Sequence, residues 1–151
     1  MTDAPLVLDD FLPYRLSITT NLVSGVIARS YEALFGLSIP EWRLIAIIAE
    51  EGEATQRRIG QRSWMDKVTV SRAAIALVER GLLDRHKNPS DGRSHMLALS
   101  ETGKTLYAAV APKAIELEKR LFASFDPSEL ERLTAMLKRI DAITLAFLNS
   151  D

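Results

Sequence analysis

The chain has 151 residues, 47% of them hydrophobic and 26% charged, with no cysteine and a formal net charge of −1, a composition that predicts one folded domain with a substantial core. The missing thiols exclude disulfides, thiolate metal sites and a cysteine redox switch, which leaves methionine as the oxidisable sulfur side chain. No apolar run approaches the roughly 18 residues a membrane span needs, and Met1–Asp10 lacks the basic-then-apolar order of a secretory signal, so the expectation is a cytoplasmic protein with no membrane partner.

The chain reads as mostly helical with one short β-hairpin. The first helix is predicted over about Phe11 to Phe35, with Asp10 as N-cap and Pro13 in the first turn, where a missing N–H costs little. Ile18, Leu22 and Val26 fall four apart, and Val23, Ile27, Tyr31 and Leu34 form a second row beside them. So broad an apolar stripe buries against more than one neighbour. Gly36 ends this helix as a left-handed cap. Ser38-Ile39-Pro40-Glu41 is a capping box that opens the second helix. The run from Trp42 to Ala49 is apolar almost all round, which makes this helix central, and Gly52 stops it.

A short third helix follows from about Gln56 to Arg62, with Thr55 as its cap. Ser63-Trp64-Met65 makes a tight connection, and Asp66 caps a fourth helix, Lys67 to Arg80, which Gly81 ends. Two helices joined this closely form a helix-turn-helix. In the second of them Val70, Ala73, Ala74, Leu77 and Val78 recur at helical spacing and face the core. Lys67, Thr69, Ser71 and Arg72 crowd the N-terminal end off that stripe, as a helix reading a major groove requires. Arginine suits guanine O6 and N7, and hydroxyls suit phosphates or base edges. A plain solvated polar face has the same pattern.

The hairpin sharpens the choice. Strands are predicted over Leu82 to Lys87 and Ser94 to Leu99, around the turn residues Asn88-Pro89-Ser90-Asp91-Gly92. Leu97 and Leu99 take the core face. Arg85, Lys87 and Arg93 flank the turn, so the hairpin tip can meet a minor groove or its phosphates. A fifth helix runs from Ser100 to about Ala123 with Pro112 inside it, where a kink is predicted. Asp126-Pro127-Ser128-Glu129 opens a sixth, whose stripe from Leu130 to Leu148 is unusually apolar for a terminal helix. A second copy of the chain is the natural cover, giving a two-fold dimer. Packing onto its own domain is the other possibility.

The charge supports the same region. From Gln56 to His95 the basic residues Arg57, Arg58, Arg62, Lys67, Arg72, Arg80, Arg85, Lys87 and Arg93 face only Asp66, Glu79, Asp84 and Asp91, inside a chain that is otherwise acidic. A phosphate backbone responds to the local field, not to the total.

These residues resemble the MarR family of transcriptional regulators. The wing, Asp91-Gly92-Arg93 through Leu97-Ala98-Leu99-Ser100-Glu101-Thr102-Gly103, is similar to that family's D-x-R … L-x-L-T-x-x-G signature. Val68-Thr69-Val70-Ser71-Arg72 through Leu82-Leu83 and Arg85 resembles its recognition helix and strand entry. Ser100 stands where the family usually has threonine, and Trp64 is large for the turn it occupies. The resemblance implies one domain of two parts. A winged helix-turn-helix covers about 38–100, and dimerisation helices cover about 10–36 and 101–149. It implies a homodimer on a pseudo-palindromic double-stranded DNA operator, with Arg57, Lys67, Thr69, Ser71, Arg72, Lys87 and Arg93 toward the DNA, Arg93 in the minor groove. Asp91, whose charge repels phosphate, is expected to orient a neighbouring arginine. It also implies a repressor released by a small effector. Tyr14, Arg15, Trp42, Arg43 and Trp64, with Phe11 and Tyr107 nearby in kind, would suit an aromatic acid or its coenzyme A thioester. The same residues also read as core aromatics and surface charges.

Enzyme chemistry finds little support. The two histidines, His86 and His95, both lie on the predicted hairpin, with no third metal ligand and no pocket for a serine triad. No phosphate-cradling glycine loop is present. No catalytic residue, cofactor or metal is therefore expected. A dimeric helical module that contacts protein instead of DNA is the remaining alternative, and the basic wing argues against it.

Overall fold

The computed structural model describes residues 4–150. After a 3-10 turn at Leu8–Asp10, α1 spans Leu12–Phe35, α2 Ile39–Glu51, α3 Gln56–Ser63, α4 Lys67–Glu79, α5 Glu101–Leu121 and α6 Pro127–Asn149. Strands β1 (Glu53–Thr55), β2 (Leu83–Asn88) and β3 (Asp91–Leu99) form one antiparallel sheet in the order β1-β3-β2. Residues up to Ala111 form one compact unit and those from Pro112 a second.

The helix ends follow local chemistry. Ser38 Oγ accepts from the Glu41 N–H at 3.3 Å, and the Glu41 carboxylate accepts from the Ser38 N–H at 2.9 Å, so the capping box is formed. Thr55 Oγ1 accepts from the Arg58 N–H at the start of α3, and Asp66 Oδ1 from the Thr69 N–H at the start of α4. Gly36 closes α1 with φ of 62°, the left-handed geometry glycine adopts without steric cost. One cap differs from expectation. Asp10 belongs to the 3-10 turn, and Phe11 precedes α1 without a side-chain cap.

The sheet also exceeds the single predicted hairpin. β1 pairs with β3 through Glu53↔Ala98, Ala54↔Leu97 and Thr55↔Met96. Three residues carry no alternation signal, and β1 exists because its backbone completes β3 while Ala54 is buried. The hairpin is also tighter than its turn-rich sequence suggests, with Asn88 paired to Asp91 and only Pro89-Ser90 between.

The core of the first unit is Leu37, Leu44, Ile45, Ile48, Ile59, Val70, Leu77 and Leu97, all essentially inaccessible, and Val110 of α5 is equally buried. α2 contributes three of these, which confirms its central place. The wing is locked to α5 at its base. Ser100 Oγ donates to the Gly81 carbonyl at 2.6 Å and accepts from the Gly103 N–H at 3.0 Å. Gly103 is pressed onto the Leu82 carbonyl so closely that a Cβ there would overlap its oxygen. Together, the serine and the glycine of the wing's tail bring the start of α5 onto the Gly81-Leu82 segment that leads into β2.

In the second unit, the Glu129 carboxylate accepts from the Asp126 N–H at 3.0 Å to open α6. No residue of α6 is buried. Leu133, Met136, Leu137, Ile140 and Ile143 leave an apolar face uncovered along it.

Candidate nucleic-acid interface

α4 buries Val70, Ala73, Ala74 and Leu77. At 3.6 residues per turn the ridge opposite that face is Val68, Arg72, Ile75 and Glu79. Arg72 therefore stands at the centre of the outward ridge, with Lys67 and Ser71 on one flank and Thr69 on the other. Thr69 is half-buried, and its hydroxyl donates to Asp66 Oδ2 at 2.8 Å, so it completes the N-terminal cap. The Thr69 N–H bond to Asp66, and this hydroxyl bond after it, hold the Asp66 carboxyl below the usual aspartate range. The sequence pattern directs attention to the polar residues and passes over Val68 and Ile75. Both are apolar, and they are 58% and 48% exposed on the outermost ridge. The signal that finds them is the helical phase: both fall opposite the buried stripe.

The basic residues separate into two groups. Arg58 contacts Glu51 at 3.0 Å, and Arg62 contacts Glu50 at 2.6 Å and Glu51 at 3.5 Å, which ties α3 to the end of α2. The Arg58 hydrogen bond is the main cause of a lowered Glu51 pKa. Arg80 donates to the Gly36 carbonyl at 3.0 Å and the Phe35 carbonyl at 3.5 Å, and lies 3.9 Å from Glu41. It therefore holds the end of α4 to the end of α1. Among the described residues Arg57, Lys67, Arg72, Arg85, Lys87 and Arg93 make no ion pair with a carboxylate. Arg57 and Lys67 line one groove of about 390 Å³ between α3 and α4. Arg72 borders a second of about 370 Å³ beside Ser38, Pro40 and Glu41.

The wing tip is shaped by Asp91. The β2–β3 register runs through Lys87↔His95 and then jumps to Asn88↔Asp91, leaving Gly92, Arg93 and Ser94 as a bulge. Asp91 Oδ1 accepts from the Arg93 N–H at 3.0 Å, and Asn88 Nδ2 donates to Ser94 Oγ at 2.9 Å. Asp91 thus orients Arg93 through its backbone while the guanidinium stays exposed. Arg85 and Lys87 are exposed on β2, with Arg85 Nη2 3.4 Å from His95 Nδ1.

The aromatic residues group differently from their sequence reading. Trp42 on α2 packs against Tyr31 with ring centroids 5.5 Å apart and stacks on Tyr107 at 6.0 Å and 15°. Tyr31 is buried, and burial raises its pKa. Tyr107 also lines a cavity of about 320 Å³ with Ile48, Ala98, Leu99 and Lys104. Tyr14 is half-buried on α1, while Arg15 and Arg43 are exposed. Trp64 does not join this group. It caps α3 in the left-handed region at φ of 59°, is 73% exposed on the helix-turn-helix connection, and makes none of these ring contacts.

A helix-turn-helix followed by a basic-tipped antiparallel wing defines a winged-helix DNA-binding protein. The MarR family model matches residues 35–94. The transcriptional repressor IacR of Pseudomonas putida is 28% identical over 102 residues, covering 68% of this chain and 61% of that repressor, so the match spans less than two thirds of its length. The crystal structure of a MarR/EmrR family regulator from Acinetobacter sp. ADP1 superposes with a TM-score of 0.85 at 25% identity, covering 92% of this chain and 98% of that one. Bordetella bronchiseptica BpsR, whose DNA binding is regulated by 6-hydroxynicotinic acid, shares the fold with a TM-score of 0.83 at 17% identity over 91% of this chain and 98% of its own. Over residues 35–94 in sequence, and over about nine tenths of the chain in fold, the protein is similar to MarR-family winged-helix transcriptional regulators.

Proposed function

We propose that this regulator is a repressor that binds a pseudo-palindromic operator as a homodimer, its two parts being the winged helix-turn-helix of about 38–100 and the dimerisation helices of about 10–36 and 101–149. Lys67, Ser71 and Arg72 face the major groove, with Thr69 at the cap, Arg57 meets the adjacent phosphates, and Lys87 and Arg93 serve the wing. One observation carries the reading. Among the described residues, the cations of the winged helix divide into those engaged within the fold, Arg58, Arg62 and Arg80, and those left without a carboxylate partner, which lie on α3, α4 and the wing. An unpaired cation retains its full attraction for phosphate. The test is a titration of the full chain against promoter DNA beside its own gene, at several salt concentrations, with random duplex as competitor. A steep salt slope with clear preference over random duplex supports the reading. Binding without preference overturns it and favours the protein-interaction alternative.

We propose further that a small aromatic acid, or its coenzyme A thioester, releases the DNA. The support is the Tyr31–Trp42–Tyr107 cluster joining α1, α2 and α5, with the cavity beside Tyr107 supplying apolar walls and the Lys104 ammonium. Tyr14, Arg15 and Arg43 stand on the same two helices, α1 and α2, as Tyr31 and Trp42. A ligand releases DNA only if it favours the conformation whose recognition helices no longer match the groove. Calorimetry with a panel of aromatic acids checks this, and neither heat nor DNA release across the panel would exclude it.

A further inference from the structure

Resting on the DNA-binding reading, we infer that Val68 and Ile75 are specificity-determining residues that read thymine methyl groups on either side of the base read by Arg72. The outward ridge of α4 is not uniformly polar. From its N-terminal end it runs apolar, arginine, apolar, before Glu79 closes it, and both β-branched side chains are about half exposed or more. Neither packs into the core, since the buried face of the helix lies opposite. One flank carries Lys67, which has no carboxylate partner among the described residues, and the small hydroxyl of Ser71, so whatever docks here is anionic and close-fitting.

A major groove meets both demands. It presents phosphates at its edges and, on its floor, the thymine C5 methyl as its one apolar feature. Valine and isoleucine cannot hydrogen-bond to a base edge, so the information they can extract is the presence of a methyl and its shape. Their stiff side chains suit this, because little rotamer freedom is lost on contact. The spacing is also suitable. Val68 to Ile75 covers roughly 10 Å of helix rise, about three base-pair steps at 3.4 Å each. Arg72 between them matches a guanine. The expected half-site therefore carries thymine on both sides of a G·C pair within about four base pairs.

The test begins with selection of an operator from a random duplex library by the full wild-type chain. Each thymine of the selected half-site is then replaced by uracil, which removes the methyl and leaves the hydrogen-bonding pattern unchanged. The wild type is expected to lose about three- to fivefold in affinity at two positions, a methyl's worth of apolar contact. Val68→Ala should lose the sensitivity at one position and Ile75→Ala at the other, while Val68→Thr, which keeps one methyl, retains part of it. Both residues are exposed, so the variants fold. An enriched operator that tolerates uracil everywhere overturns this inference and leaves the DNA-binding reading intact. Uracil sensitivity unchanged in both alanine variants also overturns it. Failure to enrich any sequence removes the underlying reading and this inference with it.

Discussion

Single side chains carry several of the fold's constraints. Gly103 has no room for a Cβ, because the Leu82 carbonyl occupies that space. Gly103→Ala must push α5 away from the wing base and break the Ser100 bridge to Gly81, so a loss of about 3 kcal/mol is expected in denaturant unfolding. Trp64 presents the opposite case. A left-handed backbone costs an L-residue roughly 1–2 kcal/mol, and a ring this exposed regains little by packing. Trp64→Gly should leave stability unchanged or raise it by up to about 1 kcal/mol, part of the relief being offset by the freer unfolded chain. A marked loss would show that the indole is packed. Asp66 sets a pH dependence. Its carboxyl titrates lower in the folded chain than in the unfolded one, so its contribution is present above the ordinary aspartate range and fades as pH falls through the lowered value. Below about pH 4, Asp66→Asn should lose stability less steeply than the wild type, and parallel acid limbs would disprove the assignment.

At the level of elements, the wing offers a test in which charge and geometry predict opposite signs. Asp91 repels phosphate, so its removal should help binding if only charge matters. It also holds the Arg93 backbone. Asp91→Ala is expected to weaken operator binding several-fold, whereas Asp91→Asn keeps the acceptor and should bind at least as well as wild type. Tighter binding by the alanine variant would reduce the carboxylate to a simple repeller. The helices are legible in the sequence because each carries its own punctuation: Ser38 with Glu41, Thr55, Asp66, Gly36 and Gly81 act on neighbours a few residues away. β1 is not legible, since nothing in Glu53-Ala54-Thr55 reveals that β3 will lie alongside. The division of the cations is hidden for the same reason. Arg80 and Arg72 look alike in the chain, and only the approach of the α1 terminus engages one and leaves the other open. Trp64 falls in with the other aromatics by residue type, which does not encode position.

For the whole molecule the governing fact is apolar surface without cover. α6 buries nothing in the described chain, and monomers seldom leave so long an apolar face in water. Members of the family act as dimers, and a two-fold pair spaces its recognition helices by about one turn of DNA, roughly 34 Å. Leu137→Glu or Ile140→Glu should shift the sedimenting species toward the single chain of 16.8 kDa and lower operator affinity at least tenfold, with the helical content of the chain retained. A dimer undisturbed by either charge would place its interface elsewhere.

The Arg80 clamp has a mechanical consequence. It fixes the C-terminal end of α4 against the end of α1. Thirteen residues make a lever of about 20 Å. Pivoting it by ~10° about the clamped end sweeps the far tip through about 3.4 Å, the rise of one base pair. A tilt of α1 that carries α4 with it would therefore shift the reading end by about one step along the duplex, and because α4 buries Val70, Ala73, Ala74 and Leu77, the elements packed on those residues must move with it.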